Sequence, residues 1–338
     1  VADFVSGYNI IKKLGDGARS QVYQVVKPDT GEVYALKRVV RESHEDTRFL
    51  DQAITEFDIS QKFEHPYLRE SYDLRRIRKM LKLNEVQVIM EYVDGTGLDR
   101  ARPKSLTRML DVFMRVAEAL HHMHERGYLH ADIKPNNILV TGEAVKVIDL
   151  GQACEIGFKK PRIQGTPDYI APEQVNRQPL NKSTDVFNLG ATLYWCLTQQ
   201  TFPTVISRDG KRQEMPDQST IPSPRMLNSE VPGVVSRLVM ECCEFEAYRR
   251  PQDMVEVISR LEMGMHVAAR GFDDEDDYTY EDTASTGAPP PAPTDGNDDD
   301  GDAADIPSSD DSFEYDYSAF DELTKGSADD TPEPGEID

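Results

Sequence analysis

From Tyr8 to Glu91 the apolar residues fall into short runs. "YNIIKKLG", "SQVYQVV", "EVYALKRVV" and "VQVIMEY" are rich in β-branched and aromatic residues and are separated by glycine-containing or polar breaks, which predicts strands. One stretch between them differs. "TRFLDQAITEFDISQKF" sets Phe49, Leu50, Ala53, Ile54, Phe57 and Phe63 at helical spacing. From Leu106 the helical pattern takes over: "LTRMLDVFMRVAEALHHMHERG" is amphipathic and stops at Gly127, a residue suited to ending a helix. Further helices are predicted around Thr184–Thr198, Pro232–Cys243 and Gln252–Glu262. The expected fold class is α+β and bilobal. A small β-rich lobe with one helix spans residues 1–93, and a larger helical lobe spans 94–264. The cleft between two such lobes is a natural ligand site.

Charge changes this picture only beyond the second lobe. The 338-residue chain carries a net charge of −23, and residues 271–338 hold 24 acidic side chains and one lysine. That leaves 37 acidic and 37 basic residues in a body that is neutral overall. "DDEDDYTYED", "TGAPPPAPTDGNDDDGD" and "SSDDSFEYDY" combine like charge, proline and glycine with few aliphatics, so residues 265–338 are expected to be a disordered acidic tail. Such a tail repels nucleic acid, and the neutral balance of the body does not favour it as a partner. "LRRIRKMLK" (Leu74–Lys82) reads first as an extended solvated hairpin; a sharper reading has the tail fold back by charge onto it or onto "FKKPR" (Phe158–Arg162). The tail's "FEYDYSAFDELTK" would serve as a docking segment.

Cys154, Cys196, Cys242 and Cys243 lack metal-ligand spacing and are expected to be reduced, in a cytoplasmic setting. No run reaches the roughly 20 apolar residues of a membrane span, so no membrane partner is expected for this chain. It begins at Val1, as a piece of a longer, membrane-anchored protein could.

Candidate chemistry lies in four separated features. In "LGDGARSQVY", Gly15 and Gly17 sit in a turn between strands, where missing side chains let backbone N–H groups approach phosphate. An ordinary hairpin turn would read the same way. Lys37 in "YALK" sits on an apolar strand and needs an anionic partner, which Glu56 on the following helix could supply. "YLHADIKPNNILV" brings Asp132, a proton acceptor, close to Lys134, which offsets charge, and Asn137, which offers an oxygen to a metal. Asp149 in "VIDLG" follows a strand, placed to hold Mg²⁺ with Asn137.

In this order the features resemble a eukaryotic-like (Hanks-type) Ser/Thr protein kinase domain over residues from about Tyr8 to Gly264. The resemblance implies the bilobal protein kinase fold and transfer of the ATP γ-phosphate to Ser/Thr hydroxyls of protein substrates, with Mg²⁺, or Mn²⁺ in its place, as the metal. It implies Gly15 and Gly17 over the phosphates, Lys37 on the phosphates and Glu56 as its partner. Asp132 becomes the catalytic base beside Lys134, with Asn137 and Asp149 as metal ligands. Leu14, Val22, Ala35 and Leu139 would sandwich the adenine, Met90 would act as gatekeeper, and backbone from Glu91 to Val93 would bond the base. Gly165 and Thr166 of "GTPDYIAPE" match the substrate-docking segment, Glu173 would pair with Arg250, and Asp185 would buttress the catalytic loop.

Three positions depart from the family pattern: Ser20 at a third glycine, Ser60 at an apolar interlobe position, and Ala131 where arginine is usual. A pseudokinase, which binds nucleotide or partners without transfer, is therefore the rival reading. In kinases with arginine at that position, the guanidinium receives an activation-loop phosphate. Here "QACEIGFKKPRIQ" between Gly151 and Gly165 contains no Ser, Thr or Tyr, so receiver and attachment site are both missing. The expectation is a kinase that does not need activation-loop phosphorylation. His121, His122 and His124 lack the spacing of a metal pair and are expected to be ordinary helix residues.

Overall fold

A computed structural model describes residues 4–5, 7–17, 19–41, 47–207, 211–214 and 216–270. The acidic segment 271–338, with its docking stretch, lies outside the described residues.

The first lobe is one antiparallel sheet. Its strands are β1 (Phe4–Val5), β2 (Tyr8–Gly17), β3 (Ser20–Val26), β4 (Val33–Val40), β5 (Ser71–Lys79) and β6 (Lys82–Glu91), in the order β1-β2-β3-β4-β6-β5. Helix α1 (Thr47–Ser60) lies against it. Leu50 and Ala53 pack with Val39, Val86 and Val88 of β4 and β6, and Ile59 is buried in the core of the second lobe. That packing holds α1 where Glu56 faces β4. The basic hairpin β5–β6 turns through Met80 and Leu81, both at positive φ (48° and 67°) and 91% and 96% exposed.

The second lobe is built on α2 (Leu106–Glu125), capped by the Ser105 side chain, whose apolar face from Met109 to Met123 is buried. Short strands flank it: β7 (Thr96–Gly97), just before α2, pairs with β9 (Ile138–Thr141) and β9 with β10 (Ala144–Val147), while β8 (Tyr128–Leu129) pairs with β11 (Cys154–Glu155). Helices α3 (Pro172–Val175), α4 (Lys182–Thr198), α5 (Pro224–Leu227), α6 (Gly233–Cys242) and α7 (Met254–Arg270) complete it. Helix α4 is nearly all buried, and it meets α6 at Gly190, where a Cβ would lie 2.5 Å from the Cβ of Cys242. All four cysteines are buried free thiols. Positions 265–270, expected in the tail, instead continue α7. Leu261 is fully buried there and Met265 packs on the same core, so the apolar stripe outlasts the predicted end.

One buried ion pair ties this lobe together. Arg250 donates to both Glu173 oxygens (2.8 and 3.0 Å) and to the carbonyls of Ser183, Glu244 and Phe245 (2.7, 2.7 and 3.1 Å). Every N–H of the guanidinium is thereby used, and its plane lies 4.9 Å from the Phe187 ring centre. Replacing one partner leaves the other charge buried and unpaired, which costs about 3–5 kcal/mol. Arg250→Met is accordingly expected to lower the urea midpoint by that much stability at an unchanged m-value.

Candidate active site

The cleft brings together side chains far apart in sequence. The Lys37 ammonium, on β4, donates to Glu56 Oε2 at 2.6 Å and lies 3.8 Å from Asp149 Oδ1. A second bond holds α1 inward: Gln52 Nε2 donates to the Gly151 carbonyl at 2.9 Å. Burial alone would lower the pKa of Lys37, but the carboxylates of Glu56 and Asp149 outweigh it and hold the amine above its ordinary value. Burial likewise pushes Asp149 up, and the cations of Lys37, Lys134 and Arg69 reverse this, bringing it down to about 2. Asp149 remains a carboxylate throughout the neutral range. Its side chain is 43% exposed, so its oxygens can reach a ligand.

Asp132 sits in a loop whose polar groups are bonded to one another. Oδ1 accepts the Thr166 hydroxyl at 2.8 Å, Oδ2 lies 3.0 Å from Lys134 Nζ, and Lys134 also donates to Thr166 Oγ1 at 2.8 Å. The Asn137 amide donates to the Asp132 carbonyl at 2.9 Å. With the nitrogen so committed, its oxygen is the end left to a metal. Among the described residues no cluster of three or more His, Cys, Asp or Glu could hold an ion. One carboxylate and one amide oxygen still fit a Mg²⁺ site completed by phosphate oxygens and water.

The loop's shape is set from beneath. Asp185 on α4 is fully buried and accepts three hydrogen bonds: from His124 Nε2 (2.8 Å), the His130 N–H (3.0 Å) and the Ala131 N–H (2.7 Å). Burial would raise its pKa, but the His124 bond and charge and the backbone N–H bring it below the ordinary carboxylate value. Ala131 is held at φ +60° and Asp149 at φ +67°, a region costing a non-glycine residue roughly 1–2 kcal/mol. His130 links the two turns. Its Nδ1 accepts the Asp132 N–H and its Nε2 donates to the Ile148 carbonyl, both at 3.3 Å.

The residues expected to contact nucleotide lie on β2, β3, β4, β6 and β9 and on the segment just after β6. Ala35 and Met90 are buried cross-strand partners, Val22 packs against them, and Leu139 on β9 pairs with Gly97. Leu14 is exposed at the open end of β2. Gly15 and Gly17 close the β2–β3 turn, and a Cβ on Gly17 would fall 2.6 Å from the Ser20 hydroxyl. Ser20 thus fills space that its glycine neighbour leaves open. The Glu91 N–H is already bonded to the Glu70 carbonyl at 2.9 Å, while Val93 lies just beyond on the hinge. Ser60 donates its hydroxyl to the Phe57 carbonyl at 2.7 Å, so its polarity is absorbed by its own helix. Gly165 stands at φ +133° with Gln174 and Ile170 atoms within 3.2 Å of where a Cβ would be.

Several structural supports were not legible in the sequence. Gln174 donates to the carbonyls of Ala131 (2.8 Å) and Gln164 (3.2 Å), and its oxygen accepts from the Ala171 N–H and Asn188. Its only signal was its place after Ala-Pro-Glu. His124 reads in sequence as an ordinary helix residue like its neighbours, yet it is the buried donor to Asp185, while the ring of His122 lies 4.8 Å from that of His65. Lys160, expected as a surface cation of "FKKPR", is buried and donates to the Gln152 carbonyl at 2.6 Å. Asp149→Asn removes one of the two carboxylates that raise the pKa of Lys37. The amine is expected to titrate lower in that variant and to acylate faster at a fixed alkaline pH, read by competitive labelling and mass spectrometry.

Comparison with known proteins agrees with this geometry. The family model "Protein kinase domain" matches residues 8–260. The serine/threonine-protein kinase PknD of Chlamydia abortus is 28% identical over 271 residues, covering 69% of this chain and 28% of that protein. AtPK2/AtPK19 of Arabidopsis thaliana, also named a serine/threonine-protein kinase, is 28% identical over 249 residues, 70% of this chain and 50% of that protein. The chain thus spans half or less of these relatives' length. The crystal structure of the Mycobacterium tuberculosis PknI kinase domain, a double mutant, superposes with a TM-score of 0.60 at 21% identity, covering 78% of this chain and 98% of that one. A matched family model over three quarters of the chain, on a fold of this kind, places it plainly: the chain belongs to the protein kinase domain family.

Proposed function

We propose that this chain is an active serine/threonine protein kinase, transferring the ATP γ-phosphate to Ser/Thr hydroxyls of proteins without a phosphate on its own activation segment. The observation that carries the reading is the closed set Asp132–Thr166–Lys134 facing an intact Lys37–Glu56 pair at 2.6 Å. A pseudokinase has no need of these groups in register, and here Asp132, Thr166 and Lys134 bond one another while Lys37 bonds Glu56. The three departures touch none of them. Ser20 fits against Gly17, Ser60 bonds its own helix, and Ala131 bonds Asp185 through its backbone while its side chain packs with Leu129, Cys154 and Leu180.

Each residue then has a defined task. Asp132 accepts the proton of the substrate hydroxyl, a contribution of about 10²–10⁴ in rate for a positioned general base. Lys134, within 3.0 Å of Asp132, offsets negative charge on the group in transit. Lys37, fixed by Glu56, binds ATP phosphate oxygens under the Gly15–Gly17 turn. Leu14, Val22, Ala35 and Leu139 hold the adenine, with Met90 closing the back. The Glu91 N–H is spent on Glu70, so the base is left the Glu91 carbonyl and the Val93 N–H. Asn137 and Asp149 would hold Mg²⁺ or Mn²⁺, which neutralises phosphate charge when bound. Gly165 and Thr166 present the acceptor. Thr166 and Tyr169 are themselves buried, so neither hydroxyl of this turn is open to modification.

The division into a small lobe over 1–93, a large lobe from 94 and an acidic tail fits this reading. Among the described residues no helix is long and apolar enough to cross a membrane. An ATP-dependent site in a chain of buried free thiols fits a cytoplasmic setting. The test is phosphotransfer from Mg²⁺/ATP to generic Ser/Thr substrates. Asp132→Asn is expected to cut transfer by at least about 10²-fold while nucleotide binding, followed by calorimetry, stays within a factor of about 3. Nucleotide binding by the unaltered chain without any transfer would hand the case to the pseudokinase.

A further inference from the structure

Segment 151–165 contains no hydroxyl that could carry a phosphate, and Ala131 offers no charge to receive one. The segment is nonetheless docked. Strand β11 pairs with β8, the Gly157 N–H bonds the Leu180 carbonyl at 2.7 Å, and the Leu180 N–H bonds the Phe158 carbonyl at 3.1 Å. Lys159 bridges Pro179. Under the catalytic loop the side chain of Cys154 closes an apolar cluster with Leu129, Ala131 and Leu180. The usual arginine has been exchanged for a packed contact.

Lys160 is the residue this packing does not explain. It is only 7% exposed, and its ammonium donates to the Gln152 carbonyl at 2.6 Å, eight residues back in the same segment. Burying an ammonium costs several kcal/mol unless the site compensates it. Here the nearby acceptor is a main-chain carbonyl, while Asp132 and Asp185 attract the charge at longer range. Burial pulls the amine below its ordinary range, and Cys154 and the two aspartates oppose that. A cation placed here at such expense, rather than in solvent with Lys159, has a conformational use.

We propose that Lys160 is a positioning residue that closes residues 152–160 into a fixed loop and so carries Gly165 and Thr166 to Asp132. It supplies from within the segment the cation that, in kinases with arginine at position 131, comes from the catalytic loop to meet a phosphate. The inference rests on the reading of the chain as an active, phosphate-independent kinase. The direction of the tether is reversed: the segment holds itself instead of being held through an added group. Gln174 completes the arrangement by bonding Ala131 and Gln164 together.

Lys160→Met and Lys160→Arg decide the matter, compared with the unaltered chain in preparations shown by mass spectrometry to carry no phosphate on residues 151–169. Met matches the length of lysine and is at ease in a buried site, so the melting temperature of Lys160→Met is expected to be unchanged or higher. Its kcat/KM for a protein substrate should fall at least tenfold, mostly through KM. Its nucleotide Kd should stay unchanged, and amides in 152–165 should exchange at least tenfold faster. Arg should restore most of the loss. Wild-type kinetics and exchange in Lys160→Met, or an Arg variant as impaired as the Met one, would overturn the proposal. If the unaltered chain proves inactive without segment phosphate, the phosphate-independent reading fails, and the exchange comparison still decides the tether.

Discussion

A single buried carboxylate organises the working parts of this protein. Asp185 has no access to water and gathers three donors, one from α2 and two from the backbone of the loop that carries Asp132. An unpaired carboxylate at this depth would be prohibitive, so the three bonds form together or the loop does not take this shape. That requirement holds Ala131 in the left-handed region and turns Asp132 toward Lys134 and Thr166. His130 passes the constraint on through the Ile148 carbonyl to the turn at Asp149. Asp132 and Asp149, the proposed catalytic base and metal-binding carboxylate, are therefore positioned by one polar network.

The upper lobe answers with a second electrostatic device. Lys37 is shared between Glu56, at 2.6 Å, and Asp149, at 3.8 Å. Gln52 adds a neutral bond from the same helix face to Gly151. Two contacts of different chemistry thus hold α1 against the cleft. The interlobe position that carries Ser60 contributes no apolar packing, and its hydroxyl turns back on α1. Beside it Ile59 packs into the apolar core of the large lobe, so the inward helix is held by polar contacts and by one apolar anchor.

Much of this was legible in the sequence, for definable reasons. Strand and helix periods are local, so β2, β3, β4, β6 and α2 could be read from the apolar pattern. Lys37, Asp132, Asn137 and Asp149 stand out because single polar residues interrupt apolar runs at fixed places. Lys160, Gln174 and His124 did not stand out, because each is polar in a polar-looking context and gains its role only through burial by distant segments. Helix α7 outran its predicted end because the face formed by Leu261 and Met265 is recognised as apolar only once α2 packs on it. Ala131 was legible as an oddity, but the compensation was not. The side chains that replace its function lie at 154, 160 and 174, and no local pattern links them.

The central claim is that competence of the catalytic loop is built into these intramolecular contacts and needs no added phosphate. The most direct measurement is kcat on a Ser/Thr substrate for protein made together with a broad phosphatase, compared with the same protein after prolonged incubation with Mg²⁺/ATP, with phosphate on residues 151–169 mapped in both. Equal kcat and an unmodified segment are expected in each. A kcat that rises tenfold or more with phosphate on that segment, and falls again on its removal, would contradict it.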